Sequence, residues 1–190
     1  ARRADWLPEA LAALAASTKV PARVLCVDTG STDGSAELLR AAYGEVLELP
    51  RTTGYGAAVA AALATLGPEE HVPAWLWLLH DDVAVDPNAL QKLLEHAADS
   101  PSASVLGPKV RDWHDPRYLV EVGFTTDAAG HRETGLEHRE HDQGQHDAVR
   151  DVLAVGTAAA LVRREVWDQV GGLDPALTVF RDDLDLGWKV

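Results

Sequence analysis

Three short stretches concentrate carboxylates where a folded chain could use them. Residues 75–87 read WLWLLHDDVAVDP, a run of Trp and Leu that stops on His80, Asp81 and Asp82. Residues 27–35 read VDTGSTDGS, in which Asp28 closes an apolar run and Thr29 and Gly30 follow it. Residues 180–185, FRDDLD, crowd Asp182, Asp183 and Asp185 together. Carboxylate oxygens suit hard cations such as Mg²⁺ or Mn²⁺, which one or two carboxylates commonly hold while substrate phosphates complete the shell. Asp81 and Asp82 could hold such an ion, or they could simply cap a strand-to-helix turn. Asp28 could accept a hydrogen bond from a base or ribose, and the Gly, Ser and Thr beyond it could offer N–H and hydroxyl groups; a plain βα loop has the same composition. Acids at a helix start are favoured by the dipole and by free N–H groups. Crowding of like charges also raises a carboxylate's pKa, which suits a general base. Capping alone does not account for all three clusters.

The elements that must position these residues alternate. Residues 5–16 repeat apolar side chains at helical spacing, with Pro8 and Glu9 where a first turn tolerates them. RVLCVD at 23–28 reads as a strand, and 35–43 as a helix with Ser35 as N-cap. A strand at 45–50 and an Ala-rich helix at 54–66 come next, the helix entered through a Gly-rich turn. AWLWLL at 74–79 is apolar on both faces, as a strand buried on both sides requires, and 87–99 is an amphipathic helix. This alternation predicts an α/β fold with a mostly parallel central sheet, whose ligands bind at the carboxyl ends of the strands. Asp28 and the His80–Asp82 stretch both fall at such ends. Beyond residue 105 the texture changes to short strands, a long polar segment at 127–148 read as a loop or lid, a strand and short helix within 151–172, and a final helix.

With 190 residues and 46% apolar content the chain can bury one core, so residues 1–190 are expected to form a single domain. Thirty acidic residues against 17 basic ones give a net charge of -13, which repels nucleic acid and anionic lipid headgroups. Cys26 has no partner for a disulfide, and its apolar surroundings suit a small packed hydrophobe in a reducing compartment. No apolar run approaches the roughly 18–20 residues that span a bilayer. The absence of Met, even at position 1, points to a piece of a longer protein. His131, His138, His141 and His146 sit at spacings that match no usual zinc motif, and a solvated loop beside an acceptor or donor site is the better reading of that segment.

VDTGSTDGS, LLHDDVAVDP and FRDDLDLGWK, with VGTAAALVRREVWDQVGGLD before the last, together resemble the family 2 glycosyltransferases of GT-A fold, and the likeness runs from about residue 5 to 189. It extends to enzymes of cell-wall or surface-polysaccharide synthesis in actinobacteria. The resemblance implies a Rossmann-like three-layer α/β/α architecture and inverting transfer of a sugar from a nucleotide diphosphate donor, UDP- or dTDP-linked. The acceptor would be a hydroxyl of a glycan or a lipid-linked molecule. It implies that Asp28 recognises the base with Thr29 and Gly30 lining the pocket. Asp82 would bind Mn²⁺ or Mg²⁺, Asp81 would approach the ribose or diphosphate, and Asp183 would take the acceptor proton, with Asp182 where Glu is common. His80 stands where the family often has a third Asp. The first strand of the family and its later elements are expected to lie outside these residues. A cytoplasmic location at the inner face of the membrane, with association through segments outside the sequence, follows from the same likeness. Two other classes remain open: a non-catalytic nucleotide-sugar or glycan-binding module, and a nucleotidyltransferase, which would ordinarily show a basic Gly-rich phosphate loop that is not visible here.

Overall fold

The computed structural model describes residues 6–67, 72–178 and 181–190. Helix α1 (Leu7–Ala15) carries Pro8 in its first turn; Asp5, where the sequence starts this helix, lies outside the described residues. Strand β1 (Cys26–Asp28), helix α2 (Ser35–Tyr43) and strand β2 (Val46–Glu48) follow. β1 and β2 run parallel, with Cys26 opposite Val46 and Asp28 opposite Glu48, and the Leu49 N–H extends the ladder to the Asp28 carbonyl. Helix α3 (Tyr55–Ala64), strand β3 (Trp75–Trp77) and helix α4 (Ala89–Asp99) complete the expected alternation.

The later chain supplies strands β4 (Val105–Leu106), β5 (Val110–Arg111), β6 (Leu119–Glu121), β7 (Thr125–Thr126), β8 (Arg132–Glu133) and β9 (Leu161–Arg163), then helices α5 (Arg164–Val170) and α6 (Asp182–Lys189). β9 inserts between β3 and β4 and runs antiparallel to both. β3 and β4 therefore share a direction, as a parallel scheme requires, while the strand between them opposes it. Local patterning could not show this, because an apolar run carries no mark of its direction. Ser35 also departs from expectation: it is the first residue of α2, Gly34 at φ 89° takes the cap position, and the Ser35 hydroxyl donates to Asp33 instead.

Alternation along the strands sorts side chains into two cores. Leu76, Leu78, Ala160 and Val162 face Trp167 of α5, Leu173 and Leu186 of α6, with Tyr55, Val59 and Leu63 of α3 packed alongside. Trp75, Trp77, Leu161 and Leu106 face Leu90, Leu93 and Leu94 of α4. Helices thus cover both faces of the β3–β9–β4 sheet, which is the three-layer arrangement. Leu161 is 1% exposed at the centre of this sheet. Leu161→Ala should lower unfolding free energy by about 2–5 kcal/mol, the usual range for a buried Leu cavity, seen as a fall in denaturant midpoint with an unchanged slope.

Helix α6 docks through Leu186, which is 2% exposed. Gly187 lets it approach: a Cβ there would stand 2.7 Å from that of Ala154. This docking fixes where the first turn of α6, with Asp182 and Asp183, must lie.

Candidate active site

Asp28 ends β1 and is buried. Its Oδ2 accepts from the Gly30 and Ser31 N–H groups, both at 3.0 Å, so one carboxylate oxygen holds the loop in its turn. Gly30 adopts φ 76°, a conformation that favours glycine. Base recognition by Asp28 would rest on its second oxygen, Oδ1.

Asp81 and Asp82 lie in an exposed turn directly after the β3 ladder. That ladder continues past the strand: Leu78 N–H donates to Ala160 O at 2.8 Å, and His80 N–H to Ala158 O at 3.2 Å. His80 shares the parity of Leu76 and Leu78, so its side chain follows theirs toward the α3 side. There its Nε2 lies 3.2 Å from the buried Thr157 Oγ1, and its ring meets the Tyr55 ring edge-on at 4.5 Å between centroids. The Tyr55 hydroxyl reaches toward Leu79 O at 3.5 Å.

Asp182 joins this group from α6. Burial holds its carboxyl above the usual Asp range; the Asp183 N–H pulls it down, the Asp183 charge pushes it up, and His80 pulls it down. Burial, and then the charge of Asp182, push the Tyr55 phenol up as well, so it stays protonated and can donate. The Asp183 N–H donates to Asp182 Oδ1 at 3.0 Å, and Leu184 N–H to Asp183 Oδ1 at 2.7 Å. Asp185 pairs with Lys189 one turn on and is thereby committed to the helix. The structure thus brings Asp182 and Asp183 to the same neighbourhood as the His80–Asp82 turn. The sequence singled out the acids but missed Tyr55 and Thr157, whose only signals were an aromatic between two glycines and a lone Thr after Gly156.

Because the raised carboxyl of Asp182 disfavours its charged form in the fold, its burial cost is absent at low pH and appears as pH rises through its folded pKa. Asp182→Asn keeps the Oδ1 acceptor and removes the charge. The variant should therefore melt above the parent at neutral pH, with the gap closing below about pH 4, where Asp is protonated folded or unfolded. Thermal melts across that range check it.

Among the described residues no three His, Cys, Asp or Glu side chains form a ready cation cage. Two exposed carboxylates in a turn nevertheless fit an ion of the Mg²⁺ or Mn²⁺ type, which keeps waters and completes its shell with phosphate oxygens. Three of the four histidines of the polar segment are spent on separate contacts: His131 Nδ1 on Asp127 at 2.9 Å, His146 Nε2 on Glu140 at 3.0 Å, and His141 against the Tyr118 ring. Lys109 anchors that segment through Asp142 and Asp147.

A mixed sheet with helices on both faces and carboxylates at the strand ends defines the GT-A class. The sequence profile described as "Glycosyltransferase like family 2" matches residues 1–190, and the chain belongs to that family. It is 32% identical over 206 aligned residues to the N-acetylglucosaminyl-diphospho-decaprenol L-rhamnosyltransferase of Mycobacterium tuberculosis, in two strains, with 93% of this chain and 63% of that protein covered. The chain therefore spans less than two thirds of those curated relatives. Among solved structures it is similar to the mannosyltransferase PcManGT from Pyrobaculum calidifontis, determined with GDP-Man and Mn²⁺, at TM-score 0.62 and 16% identity, covering 95% of this chain and 46% of that one. S. aureus TarS 1–349 is similar at TM-score 0.59 and 15% identity, with 97% and 51% covered. The likeness to these two concerns the fold.

Proposed function

We propose that residues 1–190 act as one catalytic domain of an inverting glycosyltransferase. Its donor is a nucleotide diphosphate-sugar, UDP- or dTDP-linked, and its acceptor a hydroxyl of a glycan or lipid-linked molecule. The observation that carries this reading is the packing of His80, which directly precedes Asp81 and Asp82, against Tyr55 and Thr157 at the end of β3, with Asp182 at the start of α6 within electrostatic reach of both His80 and Tyr55. It puts a carboxylate pair of one element beside the carboxylate turn of another, at the end of a buried strand. The mycobacterial relative is named for a rhamnosyl donor and a diphospho-decaprenol acceptor, so a rhamnosyl donor and a polyprenyl-diphosphate glycan are the first pair to test.

Asp28, with Thr29 and Gly30, recognises the base, and Asp81 approaches the ribose or diphosphate. Asp82 holds Mn²⁺ or Mg²⁺, in keeping with the Mn²⁺ of the archaeal mannosyltransferase complex. When bound, that cation supplies positive charge to the departing diphosphate. Asp183 takes the acceptor proton as the acceptor oxygen bonds to the anomeric carbon, and the bond to the diphosphate oxygen breaks with its electron pair leaving on the diphosphate. One displacement inverts the centre. Asp182, one residue away and half-buried, orders the first turn through its contact with the Asp183 N–H.

No helix among the described residues is long and apolar enough to cross a membrane. A lipid-linked acceptor places the reaction at the inner face of the cytoplasmic membrane in this reading. One observation favours a non-catalytic sugar-nucleotide module as the alternative: His80 turns toward Thr157, leaving two carboxylates rather than three at the turn. A thermal-shift screen of UDP, dTDP and GDP with and without Mn²⁺, followed by donor hydrolysis and transfer assays, separates the two. Metal-dependent binding with turnover supports the enzyme; metal-independent binding without hydrolysis supports the module.

A further inference from the structure

Resting on the donor-binding reading above, we infer that Arg51 is a further donor-binding residue, whose guanidinium takes a phosphate of the nucleoside diphosphate. An acidic chain must find positive charge for a diphosphate, and the loop after β1 cannot supply enough of it. The Gly30 and Ser31 N–H groups are turned back onto Asp28, and the Ser35 N–H and hydroxyl onto Asp33. An anion approaching that loop meets two carboxylates whose nearest amide donors are already engaged.

Arg51 stands against the same loop. A Cβ placed on Gly30 would meet both the Cβ and the backbone N of Arg51 at 3.3 Å, so the β2–α3 connection passes directly over the turn that follows Asp28. The parallel pairing of β1 with β2 and the bond from Leu49 N–H to Asp28 O set this register, and a turn closed by Thr53 N–H on Pro50 O presents Arg51 at its corner. The side chain is exposed and makes no hydrogen bond or ion pair among the described residues. Arg40 of α2, by contrast, is committed to Glu48. A planar, permanently charged fork at the carboxyl ends of two parallel strands suits bidentate phosphate contact.

Calorimetric titration of the 190-residue chain with UDP, dTDP and GDP in Mn²⁺, beside the matching nucleosides, tests this. Arg51→Ala should weaken the favoured diphosphate about 10- to 100-fold, the range of a charge-assisted hydrogen bond, and leave nucleoside affinity unchanged. Arg51→Lys should restore part of the loss. The dependence of diphosphate affinity on salt should also become shallower in Arg51→Ala, a readout that a change in base contact would not move. Equal diphosphate affinity in parent and Arg51→Ala, or an equal loss for nucleoside and diphosphate with unchanged salt dependence, overturns the assignment while sparing the donor reading. A parent chain that binds none of the three diphosphates overturns the donor reading and the role of Arg51 with it.

Discussion

Asp183→Asn should reduce sugar transfer by about 10²- to 10⁴-fold, the contribution typical of a positioned general base, while donor and metal affinity stay near those of the parent. The amide is nearly isosteric, and its Oδ1 can still accept from the Leu184 N–H as the carboxylate does at 2.7 Å. What disappears is the ability to take a proton. Asp182→Asn is the matched control, because it removes the neighbouring carboxylate, which burial holds above the usual Asp range, while its Oδ1 can still accept from the Asp183 N–H. If Asp182→Asn abolished transfer and Asp183→Asn did not, the base would be reassigned to the first of the pair. Donor hydrolysis and transfer are to be measured separately, since a base that activates the acceptor also governs water in its absence. Retained turnover in Asp183→Asn would sink the assignment.

The acids of the site were legible because carboxylates at strand ends and at a helix start are local features. Trp75 to Leu79 announced a buried strand, and the polar residues after it announced its end. The two-sided core followed from the same run, since Leu76 and Leu78 face α3, α5 and α6 while Trp75 and Trp77 face α4. The direction of β9 was not legible, because Leu161–Arg163 pairs with strands more than fifty residues earlier in the chain and only long-range pairing decides its sense. Ser35 looked like an N-cap by type, yet Gly34 took the position because a left-handed residue was needed to turn from the Asp33 loop into α2. Tyr55 and Thr157 stayed hidden for a similar reason: 102 positions separate them in sequence, and His80 brings both into one cluster only once β3 and the segment before β9 are paired.

The loop at residues 29–35 left two readings open in the sequence, a ligand-binding turn and a plain βα loop. The composition of residues 29–35 suggested free N–H groups for a ligand. The fold instead spends several of them on Asp28 and Asp33, which is why the donor-phosphate role is proposed for Arg51.

Asp82→Asn should weaken metal-dependent nucleotide binding by at least about 10- to 100-fold, the loss already seen when only an outer-shell partner of a metal is removed, and nucleotide affinity measured without metal should change little. Its exposed position in a turn predicts near-parental stability, so the loss reads on the metal rather than on folding. The more discriminating variant is His80→Asp, which restores the third carboxylate of the family pattern. If that carboxylate were a missing ligand, metal affinity would rise. Parity along β3 argues the reverse, because position 80 projects toward Thr157 and Tyr55 and lies within electrostatic reach of Asp182. A second anion there would repel Asp182, forfeit the aromatic contact and be partly desolvated. His80→Asp should therefore lower the melting temperature without tightening Mn²⁺, and the fall should ease at acid pH as the carboxylates protonate. A tighter metal site with stability intact would show that the strand end can reverse its facing, and that His80 had been withholding a ligand from the cation rather than bracing the turn that holds it.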